Sequence, residues 1–211
     1  MERYMIRLAA EFSAAGHELT VVAPHMPDCE AFDRLLPYRT VRFKFPGHEH
    51  PEPLALWAYR VRQAVIEAQR TMSDRCTIAS SWLRSGLACA TLPKAVTGPL
   101  AIIAHGSEIL SQQSLPRKTL MRAVFGRADI AVANSGFTKR LLNEAKISAR
   151  IVVARCGIEP AALQRAPAAD PTVLSVGRLV RRKGFDRMIE ALPILLKSFP
   201  ALRYEIVGIG P

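Results

Sequence analysis

The residues best suited to chemistry lie near the carboxyl end, in Val176-Gly177-Arg178-Leu179-Val180-Arg181-Arg182-Lys183-Gly184-Phe185-Asp186. An apolar run enters Gly177, five of the ten residues after it are basic, and Gly184 opens an apolar helical pattern. This passage can hold a phosphate. The glycines let the backbone come close, a helix start offers free N–H groups, and Arg178 and Lys183 bring charge. The pattern alone leaves anion binding and a solvated basic face evenly matched. For Arg181, Arg182 and Arg187 the solvated face is preferred.

A second set follows the apolar run Leu100–Ala104, in His105-Gly106-Ser107-Glu108. A histidine directly after a strand is either a satisfied structural group or a ligand contact, and Glu108 is placed to order the loop behind it. Asn134 and Ser135 stand before a helical pattern from Phe137 to Ala145, where their side chains suit capping of free N–H groups. Gly47-His48-Glu49-His50 is read as the only local cluster of metal-ligand types, but it sits between Pro46 and Pro51 without a third ligand nearby, so a plain loop is preferred. Four cysteines (Cys29, Cys76, Cys89, Cys156) form no C-x-x-C pair; they are expected to be reduced and mostly buried, with neither a disulfide framework nor a zinc knuckle.

These residues need a scaffold, and short β-branched runs alternating with helical patterns predict repeated βα units around a parallel sheet. Strands are expected at Leu19–Ala23, Thr40–Phe45, Thr77–Ser80, Leu100–Ala104, Ile130–Asn134, Ile151–Ala154, Thr172–Val176 and Tyr204–Val207. The helix predicted over Glu2–Ala14 puts Tyr4, Met5, Leu8 and Phe12 near one face, to pack on a sheet, and ends at Ala15-Gly16. The helix predicted over Leu54–Met72 carries Leu54, Trp57, Val61, Val65 and Ala68 on one stripe, a core face in preference to a membrane-surface face.

The 49% hydrophobic and 22% charged residues are an ordinary globular balance in a chain long enough to bury a core. No stretch of about 18 apolar residues could cross a membrane, and charges occupy the start where a secretory signal would be apolar, so a cytoplasmic protein is expected. The net charge of +11 attracts phosphates, nucleic acid or anionic lipid. Without an aromatic-rich nucleic-acid motif, nucleic acid is not expected as a partner.

Pro160–Pro171, rich in alanine and proline, predicts a linker between a domain at 1–159 and a second one opening at 172–211. That second stretch holds one βαβ unit with an unused edge, and the first helix begins at residue 2 with no strand before it. A chain cut at both ends is therefore expected.

VGRLVRRKGFDRMIEALPILLKSFPALRYEIVGIGP resembles the start of the donor-side lobe of retaining glycosyltransferases of family 4. Ile103-Ala104-His105-Gly106-Ser107-Glu108 is similar to that family's strand-end segment with His-Gly and an acidic residue. Ala131-Val132-Ala133-Asn134-Ser135-Gly136-Phe137-Thr138 resembles its Asn/Ser-x-x-Thr turn, and Glu2 to Val22 its first helix and second strand. Arg155-Cys156-Gly157-Ile158-Glu159 stands where the family shows Asn-Gly-hydrophobic-Asp, so Gly157 is kept while Cys156 and Glu159 depart.

The resemblance implies a GT-B fold: a Rossmann-like acceptor-side lobe, its first strand absent, plus the opening of a Rossmann-like donor lobe. It implies that Arg178 and Lys183, beside Gly177, hold the diphosphate of a nucleotide sugar without a metal ion or other cofactor, and that His105 contacts the donor sugar. Glu108, Asn134, Ser135 and Gly157 would support the site. The implied partners are a nucleotide sugar and a cell-envelope glycan or glycolipid, with peripheral contact to anionic membrane at the inner face of the plasma membrane. The family's glycine-rich loop and paired glutamates would lie before Met1 and beyond Pro211, so little transfer is expected of this chain alone. The alternative is a non-catalytic remnant or split subunit that docks on a partner or on anionic membrane.

Overall fold

A computed structural model describes residues 2–44, 53–70, 72, 74–111, 114–157 and 170–210. The chain divides into two compact units, Met1–Ile158 and Glu159–Pro211. The His48–His50 tract, and the linker expected at 160–171 except for Asp170 and Pro171, lie outside the described residues.

In the first unit, α1 (Glu2–Ala14) leads to β1 (Thr20–Pro24), α2 (Cys29–Asp33) and β2 (Arg39–Phe43). β1 and β2 pair in parallel from Thr20↔Arg39 to Pro24↔Phe43. Next come α3 (Leu54–Gln69), β3 (Thr77–Ala79), a π-helical turn (Trp82–Gly86), α4 (Leu87–Ala90), α5 (Lys94–Thr97) and β4 (Leu100–Ala104). α6 (Gly106–Leu110), α7 (Leu115–Gly126), β5 (Ile130–Ala133), α8 (Gly136–Glu144) and β6 (Arg150–Val153) complete it. Strands β3-β4-β5-β6 form one all-parallel sheet in chain order.

The central strand explains the core. Leu100, Ile102, Ile103 and Ala104 are buried, the near-continuous apolar strand that a parallel sheet covered on both faces requires. Trp82, Phe125, Met121 and Leu142 are fully buried around it. α3 buries Val61, Ala64, Val65 and Ala68, an i, i+3, i+4, i+7 stripe, as the core-face reading expects. Its outer end is closed by a perpendicular Phe43–Trp57 pair 5.2 Å apart and by the Arg84 guanidinium 4.5 Å from the Trp57 ring centre. The turn after β3 is π-helical because the Gly86 N–H reaches back five residues to the Ser81 carbonyl at 2.8 Å. A Cβ on Gly86 would lie 2.7 Å from that oxygen, so the turn needs glycine.

Three expectations are corrected. α1 has the expected bounds, but among its described side chains only Ala9 is buried, and Tyr4, Met5, Leu8 and Phe12 are half-buried rather than sunk against a sheet. Only Cys29 and Cys89 are buried; Cys76, ahead of β3, and Cys156, after β6, are exposed because both lie in connecting segments. α3 also stops at Gln69, three residues early.

The second unit is a single βαβ: β7 (Thr172–Val176), a 3-10 turn (Arg181–Lys183), α9 (Phe185–Ser198) and β8 (Arg203–Val207), with β7 and β8 parallel. None of its described residues is buried, and Leu174, Val176, Ile194 and Val207 are exposed. Two strands and one helix cannot cover both faces of a sheet.

Candidate functional site

In the first unit the chemistry gathers at the carboxyl ends of β3, β4 and β5, where parallel α/β sheets present ligand-binding groups. His105 follows β4 directly, in extended backbone with φ −110°, and opens α6. Its Nε2 lies 3.0 Å from the Ser80 carbonyl at the end of β3, so that nitrogen carries the proton and donates. Nδ1 is then the lone-pair nitrogen, and the Asn134 amide after β5 stands 3.5 Å from it, a long contact. The Tyr4 ring meets the imidazole edge-on at 6.4 Å. Burial holds the imidazole below its usual range and keeps it neutral, against the opposing pull of the Ser80 carbonyl.

Glu108 fixes the backbone at this point. Its carboxylate accepts the His105 N–H at 3.1 Å and a backbone hydrogen bond from Trp82, tying the ends of β3 and β4 together. Burial pushes this carboxyl up to about 7, and the two backbone donors only partly counter it. Asn134 and Ser135 divide the turn after β5. Ser135 caps α8 by accepting the Thr138 N–H at 3.1 Å, while Asn134 Oδ1 accepts the Thr138 hydroxyl at 2.7 Å. A relay thus runs Thr138, Asn134, His105, Ser80. Gly157, in the segment after β6, takes a 3.4 Å hydrogen bond from Arg7 through its carbonyl.

The sequence reading missed Ser80, Thr138 and Trp82 as parts of this constellation and placed Tyr4 on a packing face. A Ser80-Ser81 pair at a strand end is a weak signal, and only the sheet order shows that it meets His105.

In the second unit, Gly177 continues the β7–β8 pairing through its N–H to the Val207 carbonyl at 2.9 Å. The Lys183 side chain stands beside it: a Cβ on Gly177 would lie 4.0 Å from Lys183 Cε. Lys183 also lines a hollow of about 290 Å³ with Arg181, Arg182, Gly184, Asp186 and Arg187 at the start of α9. Arg178 is exposed, on the strand side of the same turn, and is not part of that lining. Arg181, Arg182 and Arg187 are exposed, as a solvated face requires, and line this hollow together with Lys183 and Asp186. A helix start ringed by cations can take an anion.

Parallel sheets, strand-end polar groups and a basic strand-to-helix turn make this an α/β protein of the GT-B type, with Rossmann-like lobes. The chain belongs to Glycosyltransferase Family 4, whose model matches residues 1–162; the model described as Glycosyl transferases group 1 matches residues 162–211. It is 29% identical over 220 residues to a GDP-mannose-dependent alpha-(1-6)-phosphatidylinositol monomannoside mannosyltransferase of Mycolicibacterium smegmatis, covering 92% of this chain and 53% of that protein. The Mycobacterium tuberculosis H37Rv protein of that name is 26% identical over 93% of this chain and 53% of its own length. WcaL of Escherichia coli K12, named for glycosyl transfer in colanic acid biosynthesis, is 33% identical over 55% of this chain and 30% of its own. The chain spans about half the length of the mannosyltransferases it matches. Among the described residues, no helix is long and apolar enough to cross a membrane.

Proposed function

We propose that this chain serves the retaining transfer of a hexose-like sugar from a nucleotide-diphosphate donor to a hydroxyl of a cell-envelope glycan or glycolipid, with no metal ion in the transfer step. The observation that carries the donor half of this reading is Lys183 standing beside Gly177 in the turn that leads into α9. Negative charge gathers on the diphosphate as the glycosidic bond breaks. The Lys183 ammonium, the Arg178 guanidinium and the free N–H groups of α9 offset it as it forms. His105, neutral and held in one tautomer by Ser80, presents an imidazole of fixed orientation to the donor sugar, and Glu108 and Asn134 hold it there.

The relatives' names make GDP-mannose the first donor to test. Titration calorimetry with GDP is expected to show saturable binding that falls about tenfold or more in Lys183→Ala, since a charge-assisted hydrogen bond contributes about 1.5–3 kcal/mol. Equal affinity in the variant, or no binding to any of a panel of nucleoside diphosphates, overturns the assignment. Transfer itself is read with radiolabelled nucleotide sugars and lipid-linked acceptors.

Peripheral attachment at the cytoplasmic face of the membrane is part of this proposal, supported by the net charge of +11 and by the phosphatidylinositol-based acceptor in the relatives' names. Sedimentation with anionic liposomes, lost as salt is raised, is the expected result.

A further inference from the structure

Away from these sites, three side chains of different ligand chemistry converge beside the carboxyl end of β1. A His25 ring nitrogen, Cys29 Sγ and a Glu30 carboxylate oxygen all lie within 4.8 Å of one another. His25 and Glu30 are exposed and Cys29 is buried, so the group opens to solvent over a thiol floor. Donors around a tetrahedral zinc-class ion stand about 3.3–3.8 Å apart, given metal–ligand distances of about 2.0–2.3 Å. The 4.8 Å limit is about 1 Å wider than that spacing and the 2.8 Å His25–Glu30 pair is narrower, so side-chain rotation must close the one and open the other.

The platform under them is braced. The His25 N–H bonds the Phe43 carbonyl at 2.8 Å, and Arg42 ties α2 to the strands by donating to Asp33 and, at 2.9 Å, to the Pro24 carbonyl. Asp28, with φ 60°, turns the chain so that Cys29 opens α2, and the Cys29 N–H bonds the Met26 carbonyl at 3.2 Å. A non-glycine residue there costs about 1–3 kcal/mol, so the surrounding bonds must hold it.

We propose that His25, Cys29 and Glu30 form a binding site for one divalent transition-metal ion of the zinc class, with solvent as fourth ligand. Without a metal the three satisfy one another: the Glu30 carboxylate accepts from His25 at 2.8 Å and from the Cys29 thiol. Binding replaces those two donors by the ion. Zn²⁺ takes the Cys29 thiolate, whose proton is released to solvent, together with one carboxylate oxygen and the lone pair of His25 Nε2, whose proton passes through solvent to Nδ1 as the ring changes tautomer. The charges match. Glu30, Asp33 and the Cys29 thiolate bring three negatives, Arg42 brings one positive, and the remaining two are those a divalent cation neutralises. Such an ion would pin α2 to the end of β1; it takes no part in the transfer step.

The test is Co²⁺ titration of the full chain followed by optical absorption. The expected result is a thiolate-to-cobalt charge-transfer band in the near ultraviolet that saturates at one ion per chain. It is abolished in Cys29→Ser and kept in Cys76→Ser/Cys156→Ser and in His48→Ala/His50→Ala. Zinc affinity should fall at least about tenfold in His25→Ala, a surface change that leaves folding intact, since losing even an outer-shell partner costs that much. A missing band, a band that survives Cys29→Ser, or one that depends on the exposed cysteines or on His48 and His50 overturns the site.

Discussion

Replacing Glu108 by glutamine removes a buried negative charge while leaving an oxygen to accept from the backbone, and its effect on stability can be worked from the structure. The Glu108 carboxyl rises from 4.5 to about 7 because burial penalises its ionised form. At 1.36 kcal/mol per pH unit, that difference is about 3 kcal/mol. The folded protein holds this proton more tightly than the unfolded chain does. The stabilisation is therefore complete below about pH 4.5, declines as the unfolded chain ionises, and is gone once pH has risen through about 7.

Glutamine cannot titrate, so the stability of E108Q relative to the parent should rise by about 2–3 kcal/mol between pH 5 and pH 8. His105, held neutral by burial, pulls the other way as pH falls, but it is common to both proteins and cancels in the difference to first order. Urea unfolding followed by tryptophan fluorescence reads this unit, because Trp57 and Trp82 both lie in it. Parallel stability profiles for E108Q and the parent between pH 5 and 8 would refute the claim that a buried, proton-retaining carboxyl ties β3 to β4.

Three further outcomes follow from named contacts. Gly86→Ala drives a methyl group to 2.7 Å from the Ser81 carbonyl and should cost about 1–3 kcal/mol, read as a lower urea midpoint. Ser135→Ala removes the α8 cap and should cost about 1 kcal/mol by the same measurement, with Ser135→Thr restoring most of it. Thiol titration of the folded chain should label Cys76 and Cys156 quickly, with Cys89 reacting only on unfolding. Burial has pushed the Cys89 thiol up to about 12, and its prompt labelling would contradict the packing.

What the sequence determined by itself was whatever local period and local chemistry record. Strand and helix alternation specified parallel βα units, because a run such as Leu100–Ala104 is apolar at every position only when both faces are covered. The apolar stripe of α3 was legible from Val61, Val65 and Ala68, and the passage from Gly177 to Gly184 was legible as a basic turn between a strand and a helix start. The short helices α2, α4, α5 and α6 left no clear signal, because four or five residues give a helical period too little length to show.

Tertiary structure alone decided which distant groups meet. Ser80, His105 and Asn134 are 25 and 29 residues apart along the chain, and they come together because β3, β4 and β5 lie side by side in register. The tautomer of His105 and the proton on Glu108 follow from that meeting, since hydrogen-bond partners and burial set them. His25, Cys29 and Glu30, by contrast, lie within six residues, and the local bend at Asp28 between β1 and α2 brings them together.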